Sequence, residues 1–287
     1  MSLMVASLNS GSNGNCYYVG NNEEAVLVDA GISCREVEKR MRALGLDPVN
    51  LKAIFISHEH TDHISGLPNL AKKYQLPVYI TPKTYSGCHF PLNEERLHSF
   101  SAFEPVVIGG LSITAFPKFH DAADPHSFVI SCRGVTAGVF TDIGEPCKNV
   151  IHYFKQCHAI FLESNYDEQL LANSRYPVFL RNRISGRQGH LSNVQALQLF
   201  TAHKPPFMTH VFLSHLSKEN NSPTLATAVF AEQAAGVQII HAPRDGATAL
   251  YHIVSNFVSA VTAPPALPLM PAVKKKVVKS KAQLSLF

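Results

Sequence analysis

The 287-residue sequence lacks several features that would place it in common protein classes. Its six cysteines are scattered without a Cys-x-x-Cys pair, which argues against a zinc–thiolate site and against a disulfide framework. No apolar run approaches the roughly 20 residues that a membrane-spanning helix needs. The N-terminus also lacks the basic and long apolar segments of a secretory signal. We therefore expect a cytoplasmic protein with reduced thiols and no membrane association.

Acidic residues are missing from the C-terminal segment, so positive charge is concentrated there. Residues 256–287 contain five lysines and no acidic residue, whereas the formal net charge of the whole chain is +4. The rest of the chain is therefore slightly negative. A nucleic-acid groove in that part must be built from basic residues that are placed locally.

Short apolar runs that end in polar residues recur along the chain. Runs of this length are typical of strands buried on both faces. Functional groups at strand ends favour an α/β fold with its site along one edge of a sheet. The pattern occurs at residues 26–28 before Asp29, 54–56 before Ser57, 138–140 before Thr141, 160–162 before Glu163 and 211–213 before Ser214.

Helices are predicted between these strands. Ser192 is a favourable N-cap residue, and Ser222 precedes a proline suited to the first helical position. The predicted buried faces are Val194, Leu197 and Phe200 in the first helix, and Leu225, Val229 and Phe230 in the second.

The succession of predicted strands and helices stops after about residue 257, where four prolines precede the lysine cluster. Such a composition is typical of a flexible tether. We therefore predict a globular domain over residues 1–257 and a disordered tail over residues 258–287.

The segment His58-Glu59-His60-Thr61-Asp62-His63 holds four potential metal ligands directly after an apolar run. Histidines at i and i+2 on a loop can converge on one cation. Asp62 and His63 then face a second cation as the chain turns into a helix. Imidazole and carboxylate groups suit Zn²⁺, Mn²⁺ or Fe²⁺.

This segment resembles the His-x-His-x-Asp-His motif of the metallo-β-lactamase superfamily, and the resemblance extends over roughly residues 1–255. It implies an αββα sandwich that holds two divalent metal ions (Zn, Mn or Fe). Asp29 matches the superfamily's structural aspartate, which orients the ligand loop. The implied ligands are His58, His60 and His120 for one metal, Asp62, His63 and His215 for the other, and Asp142 shared between them.

His126 is an alternative to His120 as the third-motif ligand. We expect His120, because it follows the apolar run 113–119 directly. Asp142 stands where some β-lactam-cleaving relatives have a thiolate, which favours a symmetric site for phosphodiesters. Two metals about 3.5–4 Å apart activate a water and polarise a phosphoryl oxygen, and we expect Asp62 to orient that water.

An arginine-rich segment, residues 181–193, precedes the predicted helix at Ser192. Arginine side chains and helix N-termini both bind phosphate oxygens, although a solvated loop is the alternative for these arginines. His190 is placed to donate a proton to the leaving alkoxide, or it only caps and packs. The segment resembles the histidine motif of tRNA 3′-processing nucleases, in which an acidic partner corresponds to Glu163.

Three motifs resemble the bacterial YycJ/WalJ family in particular: Gly11–Asn15, Gly189–Asn193 and His215–Asn221. The resemblance implies a metal-dependent 5′→3′ DNA exonuclease that acts in mismatch repair. The glycine-rich first motif is either a substrate contact or a plain hairpin turn. The predicted substrate-binding residues are Arg183, Arg187, Asn193 and Asn220.

The last five residues resemble the peptides by which bacterial repair proteins bind the sliding clamp. Gln283 offers an amide for hydrogen bonding, and Leu284, Leu286 and Phe287 offer apolar anchors. The lysines of the tail are placed to contact DNA phosphates. The predicted partners are therefore DNA and the sliding clamp.

Two other functions remain open on the sequence alone. One is a small-molecule phosphodiesterase or thioesterase of the same fold, against which the arginine-rich segment and the tail peptide argue. The other is a binding protein without catalysis, against which the complete set of expected ligands argues.

Overall fold

The computed structural model describes residues 2–255, so the predicted boundary at residue 257 and the predicted tail lie outside the described residues. The described chain contains two seven-stranded mixed sheets. The first has the strand order β14-β1-β2-β3-β4-β5-β6 and the second β13-β12-β11-β10-β9-β8-β7. The strands are β1 (Leu3–Asn9), β2 (Cys16–Gly20), β3 (Ala25–Val28), β4 (Leu51–Phe55), β5 (Val78–Tyr79), β6 (Leu97–His98), β7 (Pro105–Ile108), β8 (Leu111–Pro117), β9 (His126–Cys132), β10 (Val135–Phe140), β11 (Ala159–Glu163), β12 (His210–Ser214), β13 (Gln238–His241) and β14 (Tyr251–Ile253).

Helices cover the outer face of each sheet. An apolar cluster joins α1 and α3 to the first sheet, and another joins α5, α8 and α9 to the second. A third cluster fills the space between the sheets, with Phe55 from one side and Phe128, Phe161 and Phe212 from the other. The αββα sandwich is thereby confirmed. The helices are α1 (Cys34–Ala43), α2 (Thr61–Ile64), α3 (Leu67–Tyr74), α4 (Pro82–Ser86), α5 (Lys148–Phe154), α6 (Glu168–Ala172), α7 (Val178–Ser185), α8 (Asn193–His203) and α9 (Pro223–Ala231), with 3₁₀ turns at Pro48–Asn50 and Glu94–Arg96.

The strands that carry the site point their carboxyl ends at one edge of the sandwich. β3 and β4 are parallel, and so are β10, β11 and β12. β1 runs in the sense of β3, and β8 in the sense of β10, because each is reached through two antiparallel pairings. The loops after β1, β3, β4, β8, β10, β11 and β12 therefore meet at this edge.

Three polar residues that follow strands at this edge adopt left-handed backbone conformations. They are Asp29 (φ 62°), Asp142 (φ 55°) and His215 (φ 57°). A left-handed conformation is uncommon for residues other than glycine, and it turns the chain sharply where a strand ends. Such residues cluster at functional sites, where the surrounding structure holds them in place.

Helices α8 and α9 begin after Ser192 and Ser222 as predicted, and each serine side chain caps its helix. Their predicted buried faces were only partly right. Val194 is 41% exposed and Leu225 is 40% exposed. Phe200 and Phe230 are buried as predicted, together with Asn193, Ala196 and Leu199 in α8 and Ala226 in α9. Apolar residues occur on several sides of both helices, so their spacing alone does not select the side that packs.

Candidate metal centre

The loop after β4 and the short helix α2 bring together His58, His60, Asp62 and His63. His58 and His63 are buried, whereas His60 and Asp62 are partly exposed. Gly31 allows this packing, because a Cβ atom there would lie 1.7 Å from the backbone oxygen of Asp62. The loop is therefore pressed against the turn that follows β3.

The first ligand group consists of His58, His60 and His120, whose ring nitrogens lie within 4.8 Å of one another. His60 Nδ1 is 3.1 Å from His58 Nε2 and 3.4 Å from His120 Nε2. The other nitrogen of His58 contacts the Ser57 hydroxyl at 2.8 Å, and that of His120 contacts the Gly189 carbonyl at 3.1 Å. These contacts leave both Nε2 atoms directed at a common point.

The second group consists of Asp62, His63 and His215. Asp62 Oδ2 is 3.5 Å from Nε2 of each histidine. His63 Nδ1 bonds to Asp29 at 2.7 Å, and Asp29 also accepts bonds from the backbone and hydroxyl of Ser57. Asp29 therefore fixes the ring of a candidate ligand without belonging to the group.

Asp142 lies between the two groups. Its carboxylate is 3.3 Å from His63 Nε2 and 3.8 Å from His120 Nε2, which belong to different groups. A third contact, to His215 Nδ1, measures 3.4 Å. One carboxylate is thus close to histidines of both groups.

The electrostatics of these residues fit divalent cations. Among the described residues, Asp142 Oδ2 and His215 Nε2 are buried without a hydrogen-bond partner of acceptable geometry. Burial lowers the pKa of His120 to about 3 and that of His58 well below its usual value, which keeps both rings neutral. Burial opposes protonation of His63 and His215, but Asp142 and other carboxylates outweigh it. They raise the pKa of His63 well above its usual value and that of His215 to about 10.

A cation bound at the second group would therefore replace protons on His63 and His215. The donor set of imidazole nitrogens and carboxylate oxygens is the one that Zn²⁺, Mn²⁺ and Fe²⁺ accept. The described residues thus fit a divalent metal centre.

Glu163, at the end of β11, is completely buried and accepts four hydrogen bonds. Oε1 accepts from His190 Nδ1 at 2.8 Å and from His215 Nδ1 at 2.9 Å. Oε2 accepts from the backbone nitrogens of Ile143 at 2.7 Å and Leu191 at 3.2 Å. Burial alone would raise the pKa of Glu163, but His190 outweighs it and the pKa falls to about 2. The side chain is therefore an anion that aims two histidines, and it leaves Nε2 of His190 available to a substrate.

The glycine-rich loop, residues 11–15, is the turn of the β1–β2 hairpin, and its last residue reaches the metal centre. Asn15 Nδ2 donates to Asp62 Oδ2 at 3.1 Å. Asn15 Oδ1 accepts from Gly11 N at 3.0 Å and from the Tyr17 hydroxyl at 3.1 Å. The Tyr17 hydroxyl also bonds to Ser10, which accepts from His215 N at 2.7 Å. Sequence reasoning missed this network, because no periodicity places a hairpin turn beside a ligand loop 47 residues away.

Lys118 is a second residue that the sequence did not single out. It lies two residues before His120, is buried, and donates to the Thr141 carbonyl at 2.6 Å. The bond joins the chain before His120 to the chain before Asp142. A lysine inside the apolar run 113–119, two residues before a predicted ligand, is the signal that could have identified it.

The predicted substrate-binding residues fall into two sets. Arg183 and Arg187 are exposed, but each already pairs with a carboxylate, Asp121 at 2.5 Å and Glu145 at 2.6 Å. Asn193 and Asn220 are buried, at 1% and 0% exposure. Asn193 accepts from the Ser164 hydroxyl at 2.6 Å and bonds to Asn221, so it braces the loops behind the site. The structure therefore does not present these two asparagines to a substrate.

His126, the alternative to His120, begins β9. Its Nδ1 contacts the Asp124 carbonyl at 2.8 Å. Within residues 2–255 it belongs to none of the groups whose ligand atoms converge. The same holds for Glu59, which accepts from Ala123 N at 2.8 Å.

Comparisons with known proteins first define the class. Residues 10–127 match the family model described as Metallo-beta-lactamase superfamily. The fold is similar to that of the metallo-beta-lactamase fold protein YhfI from Bacillus subtilis, with a TM-score of 0.68 and 16% identity over 86% of this chain and 99% of that one. The protein is thus a metal-dependent hydrolase of the metallo-β-lactamase fold.

Two curated relatives narrow the class. The chain is 33% identical over 229 residues to Exodeoxyribonuclease YycJ of Bacillus anthracis. It is 30% identical over 233 residues to Exodeoxyribonuclease WalJ of Streptococcus pneumoniae. Each alignment covers 79% of this chain and 87% of the relative. The chain therefore belongs to the YycJ/WalJ family of the metallo-β-lactamase superfamily.

Within residues 2–255, every helix is too short or too polar to cross a membrane.

Proposed function

We propose that the protein is a two-metal-dependent phosphodiesterase that degrades DNA as a 5′→3′ exonuclease. The relatives' names, both exodeoxyribonucleases, support DNA as the substrate. The direction of degradation and a role in cytoplasmic DNA repair follow the family resemblance and form part of the proposal.

The position of Asp142 is the observation that carries a two-metal site. One three-residue group lies on each side of it, and its carboxylate is within 3.8 Å of a histidine in each group. We assign His58, His60 and His120 to one cation, Asp62, His63 and His215 to the other, and Asp142 to both. Two divalent cations, Zn²⁺, Mn²⁺ or Fe²⁺, supply an activated water and polarise a phosphoryl oxygen when bound.

The protein's own groups then have distinct roles. Asp62, held by Asn15, orients the water whose oxygen attacks phosphorus. His190, held by Glu163, donates the proton from Nε2 to the leaving oxygen as the phosphorus–oxygen bond breaks. A general acid of this kind typically contributes about 10²–10⁴-fold in rate.

Cleavage of end-labelled oligonucleotides tests this function. The full chain is stripped of metal, resupplied with Zn²⁺, Mn²⁺ or Fe²⁺ separately, and given single- and double-stranded DNA labelled at the 5′ or the 3′ end. Release of the 5′ label as a mononucleotide is the expected result. Parallel reactions contain RNA, a cyclic nucleotide and a thioester. Turnover of one of the small molecules without cleavage of DNA would refute the nuclease assignment.

The sliding-clamp contact is a separate proposal, because Gln283, Leu284, Leu286 and Phe287 lie outside the described residues. A short peptide with a few anchors is expected to bind at about micromolar affinity, which suffices when the enzyme is also held on DNA. Fluorescence anisotropy of the peptide with the clamp from the same bacterium measures it. Absence of binding at about 100 μM peptide would remove the clamp from the proposal.

A further inference from the structure

A cavity of about 540 Å³ lies beside the metal centre and has no role in the chemistry described so far. Its size falls in the range of small-molecule sites. The residues that line it are Phe119, Asp121, Asn182, Arg183, Gly186, Arg187 and Gln188.

Two segments line this cavity, residues 119–121 and 182–188, and each runs beside a residue of the proposed active site. Phe119 immediately precedes His120, and Arg187 lies three residues before His190. Glu145, which pairs with Arg187, lies three residues after Asp142. Gly144 N donates to the Phe119 carbonyl at 2.8 Å, and Asp121 N donates to the Gln188 carbonyl at 3.0 Å. The cavity is therefore fixed next to the proposed metal centre.

A stacked pair dominates the surface of the cavity. The Arg187 guanidinium lies over the Phe119 ring, with 4.7 Å between its central carbon and the ring centroid. The Phe119 residue is 36% exposed, and the Arg187 side chain is 68% exposed. The ion pair with Glu145 holds the guanidinium in place, so its outer face is a planar surface open to solvent.

The charge of the cavity does not suit a phosphate group. Arg187 is paired with Glu145, and Arg183 with Asp121, so each positive charge is already matched by a negative one. A neutral, planar group fits this surface better than an anion does. Bases stack on aromatic rings and on arginine planes, and the exposed amides of Asn182 and Gln188 can bond to base edges.

We propose that the Phe119–Arg187 stack binds an unpaired nucleobase of the strand being cut, next to the scissile phosphate. The inference rests on the proposed nuclease function and specifies its substrate further: the strand end must be single-stranded, or become so, to enter the site. Arg187 acts by stacking and not as a phosphate ligand.

Binding of a short, fluorescein-labelled single-stranded DNA to the full chain in EDTA tests the proposal without cleavage. Phe119→Leu keeps an apolar side chain but removes the ring, and Arg187→Lys keeps the charge but removes the plane. Each variant should bind roughly 5- to 100-fold more weakly, since removing one stacked base contact has about this effect. Phe179→Ala is the matched control, because Phe179 is 73% exposed on α7 and does not line the cavity.

A strand of the same length with abasic residues provides the second arm. The parent protein should bind it as weakly as Phe119→Leu binds the ordinary strand, and the two losses should not add. The slope of affinity against salt should be the same for Phe119→Leu and the parent, because no phosphate contact is lost. Equal metal content in the parent and the variants shows that His120 is undisturbed.

Full affinity of Phe119→Leu, full affinity of Arg187→Lys, or additive losses would each overturn the subsite. These outcomes are distinguishable from failure of the proposed function. A protein that cleaves DNA but is insensitive to these changes loses the subsite alone. A protein that binds the strand base-dependently yet cleaves no DNA with any of the metals loses the nuclease assignment alone.

Discussion

Replacement of Glu163 by glutamine changes one atom of the most constrained side chain at the site. Both carboxylate oxygens of Glu163 accept two hydrogen bonds, and all four partners are N–H donors. Glutamine has nearly the same shape, but an NH₂ group replaces one acceptor. In either orientation, that NH₂ group faces two donors.

The two orientations have different costs. If the NH₂ group faces Ile143 N and Leu191 N, two buried backbone donors lose their acceptor. Each unsatisfied donor costs about 1–3 kcal/mol, so the free energy of unfolding should fall by roughly 2–6 kcal/mol. If the NH₂ group faces the histidines, both rings must accept at Nδ1 and carry their proton on Nε2. His215 Nε2, which we assign to the second cation, is then blocked.

Glu163→Gln should therefore lower the free energy of unfolding, remove one metal ion per chain, or do both to a smaller extent. Denaturant unfolding of the metal-free protein measures the first, and elemental analysis of the metal-loaded protein measures the second. Gln195→Glu is a suitable comparison, because it makes the reverse exchange of one NH₂ group and one oxygen in a side chain that caps α8 and does not touch the metal centre. Unchanged stability within about 0.5 kcal/mol together with full metal content would refute the four-bond description of Glu163.

Three further predictions concern the same centre. His190→Ala should keep its metals and cleave DNA about 10²–10⁴-fold more slowly. The variant should cleave a nitrophenyl phosphodiester at nearly the parent rate, because that leaving group needs no proton. An equal loss of rate on both substrates would contradict an acid role. Asp142→Asn, which tolerates the left-handed backbone, should lose metal from both groups, and two metals retained in elemental analysis would contradict the bridging position. Metal binding should release protons, and the affinity for metal should fall as the pH falls from 8 to 6, because the raised pKa values of His63 and His215 keep these rings protonated without metal. Calorimetry in buffers of different ionisation enthalpy counts the released protons. An affinity that does not change with pH would contradict the prediction.

The sequence predicted those parts of the molecule that depend on short-range patterns. Apolar runs of three residues before Asp29, Glu163 and His215 identified strands β3, β11 and β12. Because parallel strands end at one edge, the polar residues that follow them were expected to converge, and the structure brings them together. The caps at Ser192 and Ser222 were predictable for the same reason, since a cap depends on residues three positions apart.

Contacts between distant loops could not be predicted from the sequence. The pairing of Arg183 with Asp121 and of Arg187 with Glu145 depends on how α7 lies over the loops after β8 and β10. An arginine in a sequence shows its charge but not whether a carboxylate 40 or 60 residues away already neutralises it. The sequence therefore predicted phosphate contacts for both arginines, but it could not show that each guanidinium is already paired with a carboxylate.

The same long-range contacts explain how a metal centre can be prepared before metal binds. Four of the histidines are aimed through the ring nitrogen that faces away from the centre: His58 by Ser57, His63 by Asp29, His120 by Gly189 and His215 by Glu163. Each contact limits the rotation of a ring, so less conformational freedom remains to be lost when a cation binds. Asp29 and Glu163 also keep the distant nitrogen protonated, so the proton that a cation displaces is the one on Nε2, which points inward. The groups that hold the ligands in place are therefore as much a part of the site as the ligands, although they are 34 and 52 residues away from the histidines they orient.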